Sequence, residues 1–143
     1  MKFQLERLGL ILKEVEGDGN CLFRALSDQI YGSPDNYKGL RQEVVRYMRI
    51  HREDFEPFHD ENNDPFDDHL ELLEQDGTYA GNDVLVAFSR ARNVTIVIHQ
   101  LNEPLWHISP TAGEEKCERE LHVSYHNGDH YNSIRRKGQM HTG

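Results

Sequence analysis

Apolar residues recur at helical spacing through the first two thirds of the chain and then give way to strand alternation. The opening Met1-Lys2-Phe3-Gln4-Leu5-Glu6-Arg7-Leu8 reads as a short amphipathic helix. Leu22, Ala25, Leu26 and Ile30 mark a second helix, which Gly32-Ser33-Pro34 stops. A third follows with Ser33 as cap and Pro34 at its first position, burying a stripe of Tyr37, Leu40, Val44, Tyr47 and Met48. Short turns are expected from there to Asp76. Gly81 or Asn82 then caps a helix whose Val84, Leu85, Phe88 and Ala91 face inward. The β-branched run Val94 to Ile98 is apolar on both faces, which predicts a strand in the centre of the sheet. Leu105 to Ile108 suggests an adjoining strand. Leu121, Val123 and Tyr125 alternate with His122, Ser124 and His126, and Asn127-Gly128-Asp129 supplies turn chemistry for a hairpin whose second strand opens at His130. Helices first and strands last predict an α+β domain, helices packed around a mostly antiparallel sheet.

The length of 143 residues suits one domain spanning 1–143, with a polar tail from Arg135 whose residues 136–143 are expected to fray. A net charge of −9 argues against a nucleic-acid backbone as partner, and no apolar run approaches the ~18 residues that cross a membrane. The charge is unevenly placed. Between Glu53 and Asp76 stand eleven acidic residues and no Lys or Arg, interleaved with Phe55, Phe58, Phe66, Leu70, Leu72 and Leu73. Such a segment is either a solvated face or a surface for a basic, apolar-centred partner, and the latter predicts capture that weakens with salt. Two cysteines in unlike surroundings point to a reducing compartment and no disulfide framework, hence the cytosol, with the nucleus also open to it. Nine histidines invite a metal hypothesis, because His122, His126 and His130 are spaced four apart. Strand alternation and the intervening turn break the helical face that this spacing would need, so no metal or other cofactor is expected.

Cys21 lies in Gly17-Asp18-Gly19-Asn20-Cys21-Leu22-Phe23, where a glycine-rich loop becomes an apolar helix. A helix start offers unpaired N–H groups and the positive end of the helix dipole, both favouring thiolate. A free thiol, of pKa about 8.5, is only roughly 3% ionised at neutral pH. The bland alternative is a buried structural cysteine. His130 and Asn132 share one face of a strand, so the amide can hold the imidazole. Cys, His and Asn together suit nucleophilic hydrolysis. Asp18, three residues before Cys21, either caps the helix or organises the loop so that N–H groups face an oxyanion, with Gly19 permitting close backbone approach. Cys117, amid Glu114, Glu115 and Glu118, reads as inert.

With Asp18-Gly19-Asn20-Cys21, Gly77 to Asp83, Val94 to His99 and His130-Tyr131-Asn132 in place, nearly the whole chain resembles the ovarian-tumour (OTU) family of cysteine deubiquitinases. The resemblance implies an OTU-type, papain-like fold and hydrolysis of the isopeptide bond between the C-terminal glycine of ubiquitin and a lysine. It puts the nucleophile on Cys21, general base and acid on His130, imidazole orientation on Asn132 and loop organisation on Asp18. Gly19, Asn20 and Tyr131 are expected to line the substrate path. Many members carry aspartate where this chain has Asn132; an amide orients the ring but adds no charge. Ubiquitin and polyubiquitin chains are the implied partners, met by a monomer. Two other functions stay open: a cysteine protease for other modifiers or peptides, and a ubiquitin-binding module with a vestigial site.

Overall fold

Five strands form a single sheet with helices packed on it and on one another, and the seam between one helix and an inner strand of that sheet carries the chemistry-bearing residues. The computed structural model describes residues 1–58, 65–110, 119–126 and 130–136. Helix α1 (Lys2–Arg7) is followed by strand β1 (Leu10–Lys13), then α2 (Cys21–Tyr31) and α3 (Tyr37–Ile50). Two short helices come next, α4 (Arg52–Phe55) and α5 (Phe66–Glu74), and then α6 (Asn82–Arg92). Strands β2 (Thr95–His99), β3 (Trp106–Ile108), β4 (Glu120–His126) and β5 (His130–Arg136) complete the described chain. The sheet order is β1-β5-β4-β2-β3, antiparallel except for the β2–β4 pair. The fold class is therefore α+β, as the order of apolar patterns implies.

Most boundaries follow local chemistry. Gly32, at φ 76°, ends α2 in the left-handed region, where glycine carries no Cβ penalty. Ser33 does cap, accepting from the Asp35 N–H at 3.2 Å, but the segment it starts is a 3₁₀ turn over Pro34–Asn36, and α3 begins only at Tyr37. Asn93 at φ 54° closes α6 and turns the chain into β2.

Several expectations need correction. The apolar run Val94 to Ile98 is buried throughout, yet β2 lies second from one edge, between β4 and β3, and β4 holds the centre. Strand β1, absent from the sequence reading, forms the opposite edge by pairing Leu10 to Lys13 with Arg136 to Ser133. That pairing makes Arg135 and Arg136 strand residues and not part of a fraying tail; residues 137–143 lie outside the described residues, as do the turn at 127–129 and Cys117. The stretch expected to hold only turns contains α5, whose Phe66, Leu70 and Leu73 recur at helical spacing and are buried. Ala91 is only half-buried, and Ala87 takes the inward position.

Leu22, Phe23, Ala25 and Leu26 of α2 sink into a core shared with Val44 and Met48 of α3, Val84, Leu85 and Phe88 of α6, and Ile96, Ile98, Leu121 and Val123 of the sheet. Each of these side chains apart from Ala25 contributes about 1.5–3 kcal/mol when taken fully from water. Apolar burial is not directional, so polar contacts fix where α2 sits on β5. Gln29 donates to Ser133 Oγ at 2.8 Å and to the Ile134 carbonyl at 2.6 Å, while accepting from the His122 N–H at 2.7 Å. Fully buried Asp28 takes a two-pronged ion pair from Arg135, one prong at 3.1 Å. Burial pushes the Asp28 carboxyl up, but the bonds from Arg135 and Ser133 outweigh it and hold it below the ordinary value. Gln4 anchors α1 across the sheet, donating to the Gln100 carbonyl and accepting from the Asn102 N–H.

Candidate active site

Cys21 is the first residue of α2 and only 2% exposed. Its N–H closes a turn on the Asp18 carbonyl at 3.1 Å, and Arg24 N donates to the Asn20 carbonyl at 2.9 Å, so Asn20 is the N-cap by backbone and not by side chain. The N–H groups of Leu22 and Cys21 itself favour the thiolate, as a helix start should; the N–H of Tyr131 does so from β5. That last contact joins the cysteine to the strand that carries the histidine. Burial outweighs these donors, with the Asp18 charge adding to it, and pushes the thiol up instead of down. The helix start alone therefore does not produce a resting thiolate here, contrary to the sequence expectation.

On β5, His130 and Asn132 meet as the period of two requires. His130 Nε2 lies 2.8 Å from Asn132 Oδ1, and the same oxygen accepts the Val15 N–H at 3.0 Å. Because the Val15 donor fixes which end of the amide is oxygen, Nε2 must carry a hydrogen, and the free lone pair belongs to Nδ1. Nδ1 faces the loop before Cys21: a Cβ placed on Gly17 would stand 3.7 Å from it. Asn132 is 4% exposed, so the clamp is shielded from water. Across the hairpin His126 pairs in register with His130 and bonds Ser124 Oγ at 2.7 Å; burial, then the neighbouring His130, holds it below the ordinary histidine value.

Asp18 is tied to both the loop and the helix that follows it. Oδ1 accepts from the Asn20 N–H at 3.1 Å and from Arg24 Nε at 3.3 Å, and Oδ2 takes Arg24 Nη2 at 3.0 Å. The Arg24 bond holds its carboxyl below the usual range. Since the N–H groups of Asn20 and Cys21 are both turned toward Asp18 at rest, the loop is braced from within, and these two donors are not aimed outward.

Of the three residues expected on the substrate path, Asn20 and Tyr131 turn their side chains inward, and Gly19 lies against Gly77. Asn20 is 3% exposed, and its Oδ1 accepts from Arg41 Nη2 at 2.7 Å and from the Gly77 N–H at 2.9 Å. Its side chain is thus committed to the protein interior. Gly19 does allow a close backbone approach, but to Gly77: a Cβ on Gly19 would stand 1.5 Å from the Gly77 carbonyl oxygen. Tyr131 is 4% exposed and packs against Tyr125 with ring centroids 4.7 Å apart. It lies on the face opposite His130, where Tyr79, Ile98, Trp106, Tyr125 and Tyr131 help to line a cavity of about 310 Å³. Burial, with the charges of Tyr125 and Cys21, pushes its hydroxyl up to about 12. Trp106 is 46% exposed at that cavity.

Arg41 was not found from the sequence. It occupies α3 two per cent exposed and ties Gly19 and Asn20 to Leu73 at the end of α5 and to Thr78 in the loop beyond. Its one visible signal was an arginine next to Leu40 within an apolar stripe. His122 and His126 lie on β4 and His130 on β5, so the helical ligand face implied by their spacing does not form. Among the described residues, His51, Glu53 and Asp54 form the one group of possible metal-ligand atoms, a partly exposed cluster at α4.

Comparison with known proteins agrees with this geometry. The family model described as "OTU-like cysteine protease" matches residues 16–131, which include Cys21 and His130. OTU domain-containing protein 3 of Mus musculus is 54% identical over 133 residues, covering 93% of this chain and 33% of that protein. The OVARIAN TUMOR DOMAIN-containing deubiquitinating enzyme 7 of Arabidopsis thaliana is 43% identical, covering 94% of this chain and 35% of that one. The chain thus spans about a third of the length of these relatives. Among solved structures, the OTU domain of OTUD1 superposes with a TM-score of 0.82 at 26% identity, covering 94% of this chain and 91% of that one. An OTU domain in complex with ubiquitin gives 0.72 at 20% identity, covering 91% and 76%, a likeness of fold. With its family model, relatives and fold in agreement, this chain belongs to the OTU-like cysteine protease family.

Proposed function

We propose that this chain is a deubiquitinase, a thiol hydrolase that cleaves the isopeptide bond between the C-terminal glycine of ubiquitin and a lysine. The observation that carries the reading is the meeting of Cys21 with β5: the Tyr131 N–H reaches the thiol, and the adjacent His130 is locked by Asn132 with Nδ1 turned to the Cys21 loop. The names of relatives as deubiquitinating enzymes, and the solved complex of an OTU domain with ubiquitin, support the choice of substrate.

Because burial keeps the Cys21 thiol protonated, attack on the glycine carbonyl requires His130 Nδ1 to take the proton as the C–S bond forms. Asn132 Oδ1 accepts the Nε2 hydrogen and keeps the ring in the right tautomer while it becomes imidazolium. The imidazolium then gives its proton to the leaving lysine amine, and a thioester to Cys21 remains. Water deprotonated by His130 releases ubiquitin and restores the thiol. The carboxylate of Asp18, engaged with Arg24 and Asn20, shapes the loop in which this happens and takes no proton in the cycle.

The acidic face supports a basic protein substrate. Asp67, Asp68, Glu71 and Glu74 lie on α5 beside Leu72, which is 50% exposed. Arg49 and Arg52 neutralise part of this charge through Glu74 and Asp67, and the remainder stays available to the basic surroundings of ubiquitin's apolar patch. The test is hydrolysis of a fluorogenic ubiquitin C-terminal amide by wild type and Cys21→Ala. Turnover by wild type alone supports the reading, whereas equal rates from both would remove Cys21 from the chemistry.

A further inference from the structure

Arg41 is a guanidinium buried to 2% exposure whose hydrogen bonds among the described residues go to carbonyl oxygens, with the carboxylates of Asp76 and Asp18 acting on it only through their charge. Nη1 donates to the Leu73 carbonyl at 2.7 Å. Nη2 donates to Asn20 Oδ1 at 2.7 Å, to the Thr78 carbonyl at 2.9 Å and to the Gly19 carbonyl at 3.2 Å. The fork also stacks on Phe23 of α2, 4.6 Å from the ring centroid. Burial holds the guanidinium below its ordinary value although the charges of Asp76 and Asp18 oppose it, so this is a costly way to stabilise a core, and apolar side chains of similar volume do it better. What the fork provides is direction.

The direction falls on one peptide. The Gly19–Asn20 unit has its carbonyl held by Arg41 and its N–H held by Asp18 Oδ1. Asn20 Oδ1 bridges the same guanidinium to the Gly77 N–H, and Gly19 has no room for even a Cβ against the Gly77 carbonyl. The next residue is Cys21. We propose that Arg41 is a positioning residue of the hydrolase: it locks the Gly19–Asn20 peptide against the end of α5 and the loop that follows it, and thereby sets the approach of Cys21 to the scissile carbonyl. This inference rests on the hydrolase reading above, and it adds a residue that never touches substrate.

The experiment compares wild type, Arg41→Lys and Asn20→Ala for kcat and KM on the ubiquitin amide, for alkylation of the Cys21 peptide by iodoacetamide against pH, and for Tm. An ammonium is a point donor that cannot span Leu73 and the Cys21 loop together, so Arg41→Lys should lose about 100-fold in kcat, the scale of an ångström of misplacement. KM and the pH midpoint of alkylation should stay at the wild-type values, because the substrate surface and the thiol's own surroundings are unchanged. If Arg41→Lys fails to fold, Asn20→Ala decides: it leaves Arg41 on Phe23, Leu73, Thr78 and the Gly19 carbonyl, removes the amide oxygen that bridges the guanidinium to the Gly77 N–H, and should lower kcat about 10- to 100-fold at constant KM. A kcat within threefold of wild type in the folded variants overturns the proposal. So does a loss of kcat matched by faster Cys21 alkylation, the mark of a melted helix start. A wild type that does not turn over the amide at all would instead overturn the hydrolase reading beneath it.

Discussion

The two sides of the Cys21–His130 pair are held by different physics. On the cysteine side, the loop between β1 and α2 is braced by charged and amide side chains: Arg24 on Asp18, Arg41 on Gly19 and Asn20, and Gly77 against both. On the histidine side, strand register does most of the work, and one amide oxygen completes it. A loop carries no ladder of its own to restore its geometry, so it should be intolerant of small steric changes. A strand held in register by the β4 ladder over residues 130–133, and by β1 over the residues that follow, should tolerate them and fail only when its clamp is removed.

Steric substitution separates the two most sharply. Gly19→Ala must displace either the Cys21 loop or the Gly77 backbone, since the new methyl would overlap the Gly77 carbonyl oxygen. A loss of kcat of about 100-fold or more is expected in steady-state hydrolysis. Next comes the clamp. Asn132→Ala frees the imidazole and should lower kcat by roughly 10- to 100-fold with little change in KM. Asn132→Asp keeps the acceptor and adds a charge that favours imidazolium, so it should retain activity and move the acidic limb of the pH–rate profile upward.

The seam that joins the two sides has its own signature. The Asp28 carboxyl is held below its ordinary value by the bonds from Arg135 and Ser133 acting against burial. A depressed carboxylate contributes stability that is present above the unfolded pKa and lost as pH falls through the folded one. Denaturant unfolding should therefore show stability falling from about pH 4 downward, and Asp28→Asn should flatten that fall. At neutral pH the substitution should cost about 2–4 kcal/mol, at the lower end for a buried pair because Arg135 keeps 24% of its side chain in water. The smallest effect belongs to Gly17→Ala. Its methyl would meet His130 at ordinary contact distance, 3.7 Å from Nδ1, and kcat should change by no more than about threefold. A large loss there would mean that the histidine side is as tightly braced as the cysteine side.

What the sequence disclosed follows the same division. Helix α2, strands β4 and β5 and the pairing of His130 with Asn132 are written in local periods of 3.6 and two residues, and all are present. The brace around Cys21 is not local. Arg41 lies 22 residues from Gly19 and 32 from Leu73, and nothing in its own turn of helix distinguishes it from a solvated arginine except apolar neighbours. Asn20 and Gly19 were legible as special positions beside the cysteine, but whether they face substrate or interior depends on where Gly77 arrives in space. Strand β1 escaped for a related reason: Leu10-Ile11-Leu12 is too short to show alternation, and it is a strand because β5 offers it an edge. The thiol was misjudged in direction because helix-start donors can be read from position, whereas the burial that outweighs them cannot.

The most direct test is intact mass after mixing wild type, Cys21→Ala and Asn132→Ala with ubiquitin that carries a C-terminal electrophile. Addition of one ubiquitin mass to wild type, none to Cys21→Ala and slow addition to Asn132→Ala is the expected result. It would establish the nucleophile, the substrate class and the clamp together. Modification of Cys21→Ala at the wild-type rate, or no modification of wild type, would contradict the account.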